Sequence, residues 1–450
     1  MSSLVGEIAK NKNRIFRRLY VKRRLASTGL FETDWQDITK DVKRWGSITQ
    51  KLDAARQNRL RFSRASITVA NDEGKYNPAA NESSLWFGYA SQQRSLMKIE
   101  AGYVHDTLGA DGIWVKTEFP TASSTVFTGI LQGDFPITNK DDITLKISPL
   151  TQIFRDFPSR ALDDYTSTGM TASDFVEMVR DATSGGNYIF RPFFGDTTTN
   201  WDIQTTTVNY IDLSTQTATD IRTSNVWGVM EKLAEAENYL LFVTPDGVLK
   251  FRDKADITTA TSYEFHGIGS YNRTYGHNIM AIQQFGFRQT KYYGRVELKW
   301  RQENTETSYI FKEADFTISA DNSPWNLGFR TFKMENLWLA STATAQSVAD
   351  TVFNEISAEK DEIRYTASFI PHLTLTDRVS LTYNSNPDSL GSLWDSNDWA
   401  DSSGALALAT DLIWDEFQTS AINLQDTEYK PLQITLNLDR LTTIITAKEV

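Results

Sequence analysis

The sequence predicts a mainly β protein with an α+β module, in which two β-barrel- or sandwich-like domains flank a helix-plus-hairpin domain. Three observations carry this. Stretches that alternate apolar and polar residues recur at roughly ten-residue spacing, with Gly, Asn and Asp turns between them, through residues 28–155. Helical periodicity replaces alternation over residues 156–265. Alternation returns over residues 266–450. At 450 residues the chain exceeds one ordinary core, and 40% hydrophobic and 12% aromatic residues are enough to build several.

Residues 1–27 read as a basic arm, "MSSLVGEIAKNKNRIFRRLYVKRRL" and its continuation, without the apolar middle of a secretory leader. The first β domain, 28–155, begins with "WQDITKDVKRWGSITQKL", which alternates around a turn at Trp45-Gly46-Ser47. "RASITVAND", "SLMKIEAGYV", "TVFTGILQGDFPIT" and "DDITLKISPL" follow as strands.

In the α+β module, Phe175, Met178, Val179 and Ala182 share one helical face, and Thr171 with Asp174 resembles a capping box. A second helix begins near Ser224 and lines its buried face with Val226, Val229, Met230 and Leu233. The strand "YLLFV", a Pro245-Asp246-Gly247 turn and the strand "VLKFRD" complete the module.

The second β domain, 266–450, carries one helix over Thr342–Lys360. Its apolar stripe is Ala345, Val348, Val352 and Ile356, with Ala349 and Phe353 beside it. A Trp-rich excursion spans Asn384–Asn423.

The sequence offers little catalytic chemistry. With no cysteine, thiolate metal sites, disulfides and Cys nucleophiles are ruled out. His105, His266, His277 and His372 are not spaced as metal ligands, and neither a Gly-x-Ser-x-Gly elbow nor a phosphate loop is present. No cofactor or metal is expected. No apolar run reaches the length of a membrane-spanning helix, so stable membrane insertion is not expected.

The strongest candidate for chemistry is "SLWDSNDWADSSG" with "LIWDEF". Trp394, Trp399 and Trp414 could stack on sugar faces beside the carboxylates of Asp395, Asp398, Asp415 and Glu416. The alternative is a structural loop. In "ITVANDEGKYNPAANESSLWFGY", Asn71-Asp72-Glu73-Gly74 lacks the ligand alternation of a calcium loop and reads as a hairpin-type turn, followed by an aromatic plug. Tyr76, Pro78, Trp86 and Tyr89 of this stretch are candidates for packing within a β domain or against the next subunit, and Lys22, Arg23 and Arg24 of the basic arm are candidates for contact with a neighbouring subunit.

Several of these stretches resemble the trimeric baseplate and tail-tip hub proteins of tailed bacteriophages. "ITVANDEGKYNP" with "SSLWFGY" resembles their strand-turn signature. "DWQDITKDVKRWGSI", "VFTGILQGD", "SNVWGVMEKLAEAENYLLFVTPDGVLKFRD", "PHLTLTDRVSLTYN" and "LNLDRLTTIITAKEV" are similar to later elements, in order, over about residues 34–450. The basic arm Lys10–Arg24 and the long Trp-rich excursion depart from that pattern.

The resemblance implies a homotrimeric structural virion protein of the tail tip, assembled in the host cytoplasm. Two similar barrels per subunit would match a sixfold tail tube or distal tail protein above, and a spike, fibre or lysin would attach below. DNA would only pass through the channel. The alternatives are a homohexameric distal tail ring protein, or a glycan-binding or glycan-cleaving tail protein using segment 392–417.

Charge is distributed unevenly. Residues 1–64 carry 16 Lys and Arg against 6 Asp and Glu, a net of +10, and the remainder carries 30 against 51, a net of −21. This asymmetry suits opposite surfaces meeting in an assembly and an acidic channel wall, and it argues against a nucleic-acid reader. The basic arm is expected to have no core of its own and to be ordered on a neighbouring subunit.

Overall fold

A computed structural model describes residues 14–52, 60–78, 82–89, 94–108, 114–119, 125–133, 140–158, 170–184, 186–195, 198–207, 209–211, 225–253, 261–267, 279–286, 293–302, 306–313, 329–336, 339, 341–357, 361–384 and 423–449. Two large sheets and a helix-rich module account for most of these residues, so the fold is mainly β with a smaller α+β part.

The first, eight-stranded sheet is built mainly from β1 (Arg14–Lys22), β2 (Val42–Arg44), β3 (Ala65–Ala70), β4 (Leu96–Leu108), β5 (Thr125–Gln132) and β6 (Asp142–Pro149), with Gln36–Asp37 paired on β1 and Trp114–Phe119 on β4. The second is built from β7 (Thr261–His266), β8 (Ile279–Gly286), β9 (Glu362–Ser368), β10 (Arg378–Asn384), β11 (Asn423–Asn437) and β12 (Thr442–Glu449). Across the first sheet the order is β1-β4-β5-β6-β3-β2, and across the second it is β7-β10-β11-β12-β9-β8. The two orders are the same when each set is counted from its own first strand. Every pairing among these strands is antiparallel except β7 on β10, which is parallel. The chain therefore repeats the same six-strand order, with the first strand of the second set running in the opposite direction.

Alternation explains why these segments are strands. In β3, Ala65, Ile67 and Val69 point into the core, and in β11 Ile434 and Leu436 do, all fully buried. Both sheets contribute to one continuous hydrophobic cluster, which includes Leu19, Ile67, Ile99, Tyr365, Val379 and Ile434. Each such side chain contributes roughly 1.5–3 kcal/mol on burial.

Three sequence expectations need correction here. The basic arm has a core of its own from Arg14 onward. The segment Arg14–Lys22 is β1, paired along its length with β4, and Leu19 and Val21 are fully buried. Its basic residues mask a strand whose apolar positions alternate. Residues 1–13 lie outside the described residues.

The turn at Trp45-Gly46-Ser47 does not close a hairpin. The chain leaves the first sheet after Arg44, and Ser47–Leu52 pairs instead with Gln433–Asn437 of β11 in the second sheet. Gly46 makes this crossing at φ +68, where an added Cβ would sit 2.5 Å from the Ser66 carbonyl oxygen.

The stretch after β3 is likewise not a hairpin turn, because β3 lies beside β6 and not beside β4. Asp72–Gly74 forms a single 3-10 turn with positive φ at both Glu73 and Gly74. Asn71, buried, accepts from the Tyr76 N–H at 2.8 Å and donates to the Lys140 carbonyl at 3.1 Å.

The helical module follows β6. It contains α1 (Thr151–Asp156), α2 (Ala172–Asp181), α3 (Arg191–Phe194) and α4 (Val226–Glu237). The capping box of α2 forms as read, with the Thr171 side chain accepting from Asp174 N and the Asp174 carboxylate accepting from Thr171 N. Asn225, one residue after the expected start, caps α4 by accepting from Gly228 N at 2.7 Å.

Tyr239–Val243 and Leu249–Asp253 pair as the expected hairpin, and Trp201–Ile203 adds in parallel. Phe154 anchors this core against Phe190, Phe194, Trp227 and Trp201, with ring centroids 4.8–6.1 Å apart. A three-stranded sheet (Glu306–Glu313, Arg295–Gln302, Thr331–Glu335) and α5 (Thr342–Ile356) join the same cluster. Helix α5 ends at Ile356, where the Ser357 hydroxyl donates to the Phe353 carbonyl.

Candidate functional site

Each six-strand unit has two ends. At one, here the head, the first unit turns from β1 to β2, from β3 to β4 and from β5 to β6. The second unit turns there from β9 to β10 and from β11 to β12. The opposite end is the tail. Of the sequence-selected residues, Lys22 ends β1 at the head and Arg23, Arg24, Trp86 and Tyr89 lie on head connections of the first unit, where the fold brings two segments 62 residues apart into contact.

Arg23 joins them. Its guanidinium binds the Glu32 carboxylate at 2.9–3.3 Å, donates to the Leu85 carbonyl at 2.8 Å and lies 3.8 Å over the Tyr89 ring. Burial pushes the Glu32 carboxyl up. The hydrogen bonds from Arg23, its charge and a hydrogen bond from Tyr89 outweigh this and hold Glu32 below the usual carboxylate range. Arg24 donates to the Gly29 carbonyl at 2.9 Å and closes its own loop, and Lys22 lies 5.7 Å over Trp35. These three cations therefore hold the rim together.

Trp86 is fully buried, donates from Nε1 to the Ser95 hydroxyl at 3.0 Å and meets Tyr76 edge-on at 6.0 Å. Tyr76 in turn donates to Asp41 at 2.6 Å, and burial followed by that bond raises its pKa far above the ordinary tyrosine value. Trp86 is thus a core anchor of the rim, and Tyr89 is half-buried beneath Arg23.

What the rim presents outward is apolar, and the sequence reading missed it. Leu25 is 37% exposed, Leu30 52% and Phe87 50%. Leu25 is bridged to Tyr89, and its N–H bonds the Leu30 carbonyl at 2.8 Å, so the three side chains share one rim. The signal available beforehand was three large apolar residues inside turn-rich segments that no strand pattern absorbs.

The other candidates, Trp394, Asp395, Asp398, Trp399, Trp414, Asp415 and Glu416, lie outside the described residues, so the convergence of their carboxylates is not visible. Among the described residues no group of three or more His, Asp or Glu side chains is arranged to hold a metal ion. A shallow cavity of about 370 Å³ lies between the C-terminus of α4 and α5, lined by Glu237, Asn238, Thr344 and Ser347.

No protein-family model matches the sequence. No curated protein matches it either. Among solved structures, the chain is similar to the 43 kDa tail protein of prophage MuSo2 from Shewanella oneidensis, at 12% identity over 96% of this chain and 98% of that one, with a TM-score of 0.48. A tail protein from Neisseria meningitidis MC58 aligns at 12% identity over 96% of each chain, with a TM-score of 0.47. Prophage tail protein gp18 from Listeria monocytogenes EGD-e aligns at 7% identity over 96% and 94%, with a TM-score of 0.42. Each of these is a tail protein by its own name and spans nearly this whole chain, at an overlap too loose to carry a function by itself.

Proposed function

We propose that this chain is a structural protein of a phage tail tip, a hub in which three copies, each contributing two β units, form a ring of six. The supporting observation is the repeated strand order. One chain carries the same six-strand order twice, the first strand reversed in the second set, with the helical module inserted between them, so three identical chains supply six similar building blocks. A threefold protein of this kind can meet a sixfold tube on one side and a threefold spike, fibre or lysin on the other.

The sequence resemblance points the same way, and the stretches carrying it fall in both β units and in the helical module between them. In this reading the chain acts by shape and not by catalysis, and its excess of acids lets DNA pass the ring without binding it. A hexameric ring protein would need only one such unit per chain, which makes the duplicated unit harder to place in that alternative. Averaged particle images of the purified assembly test the proposal. Threefold symmetry with a six-lobed β wall is expected, and six chains per ring would refute it.

A further inference from the structure

A strand at the edge of a sheet presents a row of backbone N–H and C=O groups to whatever lies beside it, and proteins blunt such edges by keeping them short, bulged or covered. This chain does so at its other sheets. Among the described residues, the strands that end those sheets are six residues or shorter, except Ile279–Gly286, which is broken by two register shifts. In the three-stranded sheet, the end strand Thr331–Glu335 has five residues, and its Glu335 carbonyl accepts from Lys232 of α4 at 2.6 Å.

Glu306–Glu313 departs from this pattern. It ends the same sheet on the other side, runs eight residues and pairs with Arg295–Gln302 in unbroken antiparallel register. It contains neither Pro nor Gly. No strand of the described residues covers its outer edge. Alternate pairs of an antiparallel ladder bond inward, so about half of its backbone groups point away from the sheet.

Its side chains divide by face. Ile310 is buried on the helical module, and Lys312 pairs with Asp350 of α5 at 3.3 Å. On the outward face Tyr309 is 50% exposed and Phe311 46%, with their rings within 12° of parallel and 6.4 Å apart. The charges of that face pair off across the strands: Arg295 with Glu313 at 3.2 Å, Lys299 with Glu335 at 2.8 Å and Lys333 with Glu297 at 3.7 Å. With those ions matched, the surface offers an uncovered strand edge beside two aromatic rings. An extended polypeptide fits that chemistry. Its backbone continues the ladder, and apolar side chains at its alternate positions pack on Tyr309 and Phe311.

We propose that Glu306–Glu313 takes an extended segment of a different protein as a fourth strand of this sheet. A second copy of this chain is the wrong occupant. The same strand edge of two identical chains meets itself only across a twofold axis, and a ring of three chains has none. This exclusion rests on the ring reading above, under which each ring offers three equivalent edges.

Hydrogen exchange of the full-length chain, in its isolated assembly and in purified tail particles, tests the added strand. The outward-pointing amides within Tyr309–Glu313 should exchange fast in the isolated assembly and slow by about a hundredfold or more in the particle. Amides already protected in the isolated assembly, or equally fast in both, would overturn the proposal.

Because the chain contains no cysteine, Phe311→Cys carries a benzophenone maleimide at this edge alone. In particles built with the labelled variant, mass spectrometry should find the cross-linked peptide in another protein. A cross-link only to this chain, or none, would overturn the choice of partner. Tyr309→Thr/Phe311→Thr changes two exposed positions and keeps a strand-forming residue at each, so its circular dichroism and native mass should match the wild type. The cross-linked partner's retention in particles built with it should fall at least about tenfold, and unchanged retention would overturn the role of the two rings. Native mass of the isolated assembly separates the two claims. Three chains with an edge left unprotected in the particle would overturn the added strand alone. Any other chain count, or a chain absent from tail particles, would overturn the ring reading.

Discussion

Gly46 is where one chain crosses between its two sheets, and Gly46→Ala puts a number on that crossing. At φ +68, alanine occupies a left-handed conformation that costs roughly 1–2 kcal/mol relative to glycine. Its Cβ would also stand 2.5 Å from the Ser66 carbonyl oxygen, about 1 Å inside ordinary contact. That oxygen belongs to β3, which is paired on both sides, with β6 and with β2, so it cannot simply swing away. Overpacking of this kind adds roughly 1–3 kcal/mol, for a total near 2–5 kcal/mol.

Gly88 is the matched control. It also has positive φ (+80), but an added Cβ would meet nothing within 4 Å, so Gly88→Ala carries only the conformational part. In calorimetric or dichroism melts, Gly46→Ala should lower the transition temperature by roughly 2–5 °C, and Gly88→Ala by less than about half as much. Equal shifts in the two variants would refute the close approach of the crossing to β3.

The other predictions concern the contact between the two units, the rim and the first strand. Deleting residues 1–22 should abolish soluble, cooperatively melting protein, since it removes β1 with buried Leu19 and Val21. A normal melt would contradict the placement of β1. Asn71→Ala should cost about 2–3 kcal/mol in a denaturant titration, because the Tyr76 N–H and the Lys140 carbonyl lose their partner in a buried site.

His372 lies on the connection from β9 to β10, and burial pushes its pKa down to about 4 against a partly offsetting hydrogen bond to the Ala101 backbone. The folded state therefore resists protonation that the unfolded chain accepts near pH 6.5. Stability should fall as pH drops from about 6.5 to 4, and His372→Asn should flatten that slope. A parallel slope in the variant would contradict this role.

Asp181 is held at about 2, first by the hydrogen bond from Arg180 and then by Arg191. It stabilises above the ordinary carboxylate pKa, and its contribution is lost as pH falls from about 4 to 2. Being half-exposed, it is worth less than about 1 kcal/mol in an Asp181→Asn comparison at pH 7.

What could be read from the sequence was local. The capping box of α2, the apolar face of α4, the hairpin after it and most of α5 follow from spacing within a dozen residues, and the structure forms them. What could not be read was which sheet a strand joins. Ser47–Leu52 has a strand pattern that suits either sheet, and only the crossing at Gly46 sends it to β11. The strand nature of Arg14–Lys22 was hidden because arginines fill positions between its buried residues, and charge dominated the reading.

The repeated strand order was invisible for the same reason, since it is a property of long-range pairing. On the rim, the sequence singled out Arg23 and Tyr89 separately. Their 3.8 Å stacking depends on the fold, and the exposed Leu25, Leu30 and Phe87 have no spacing that marks them.

The central claim is that two six-strand units per chain make three chains into one ring. Native mass spectrometry of the full-length protein measures this directly. The account predicts a dominant closed species of three times 51.0 kDa. A dominant species of six chains, or a chain that remains at 51.0 kDa across the concentration range, would contradict it.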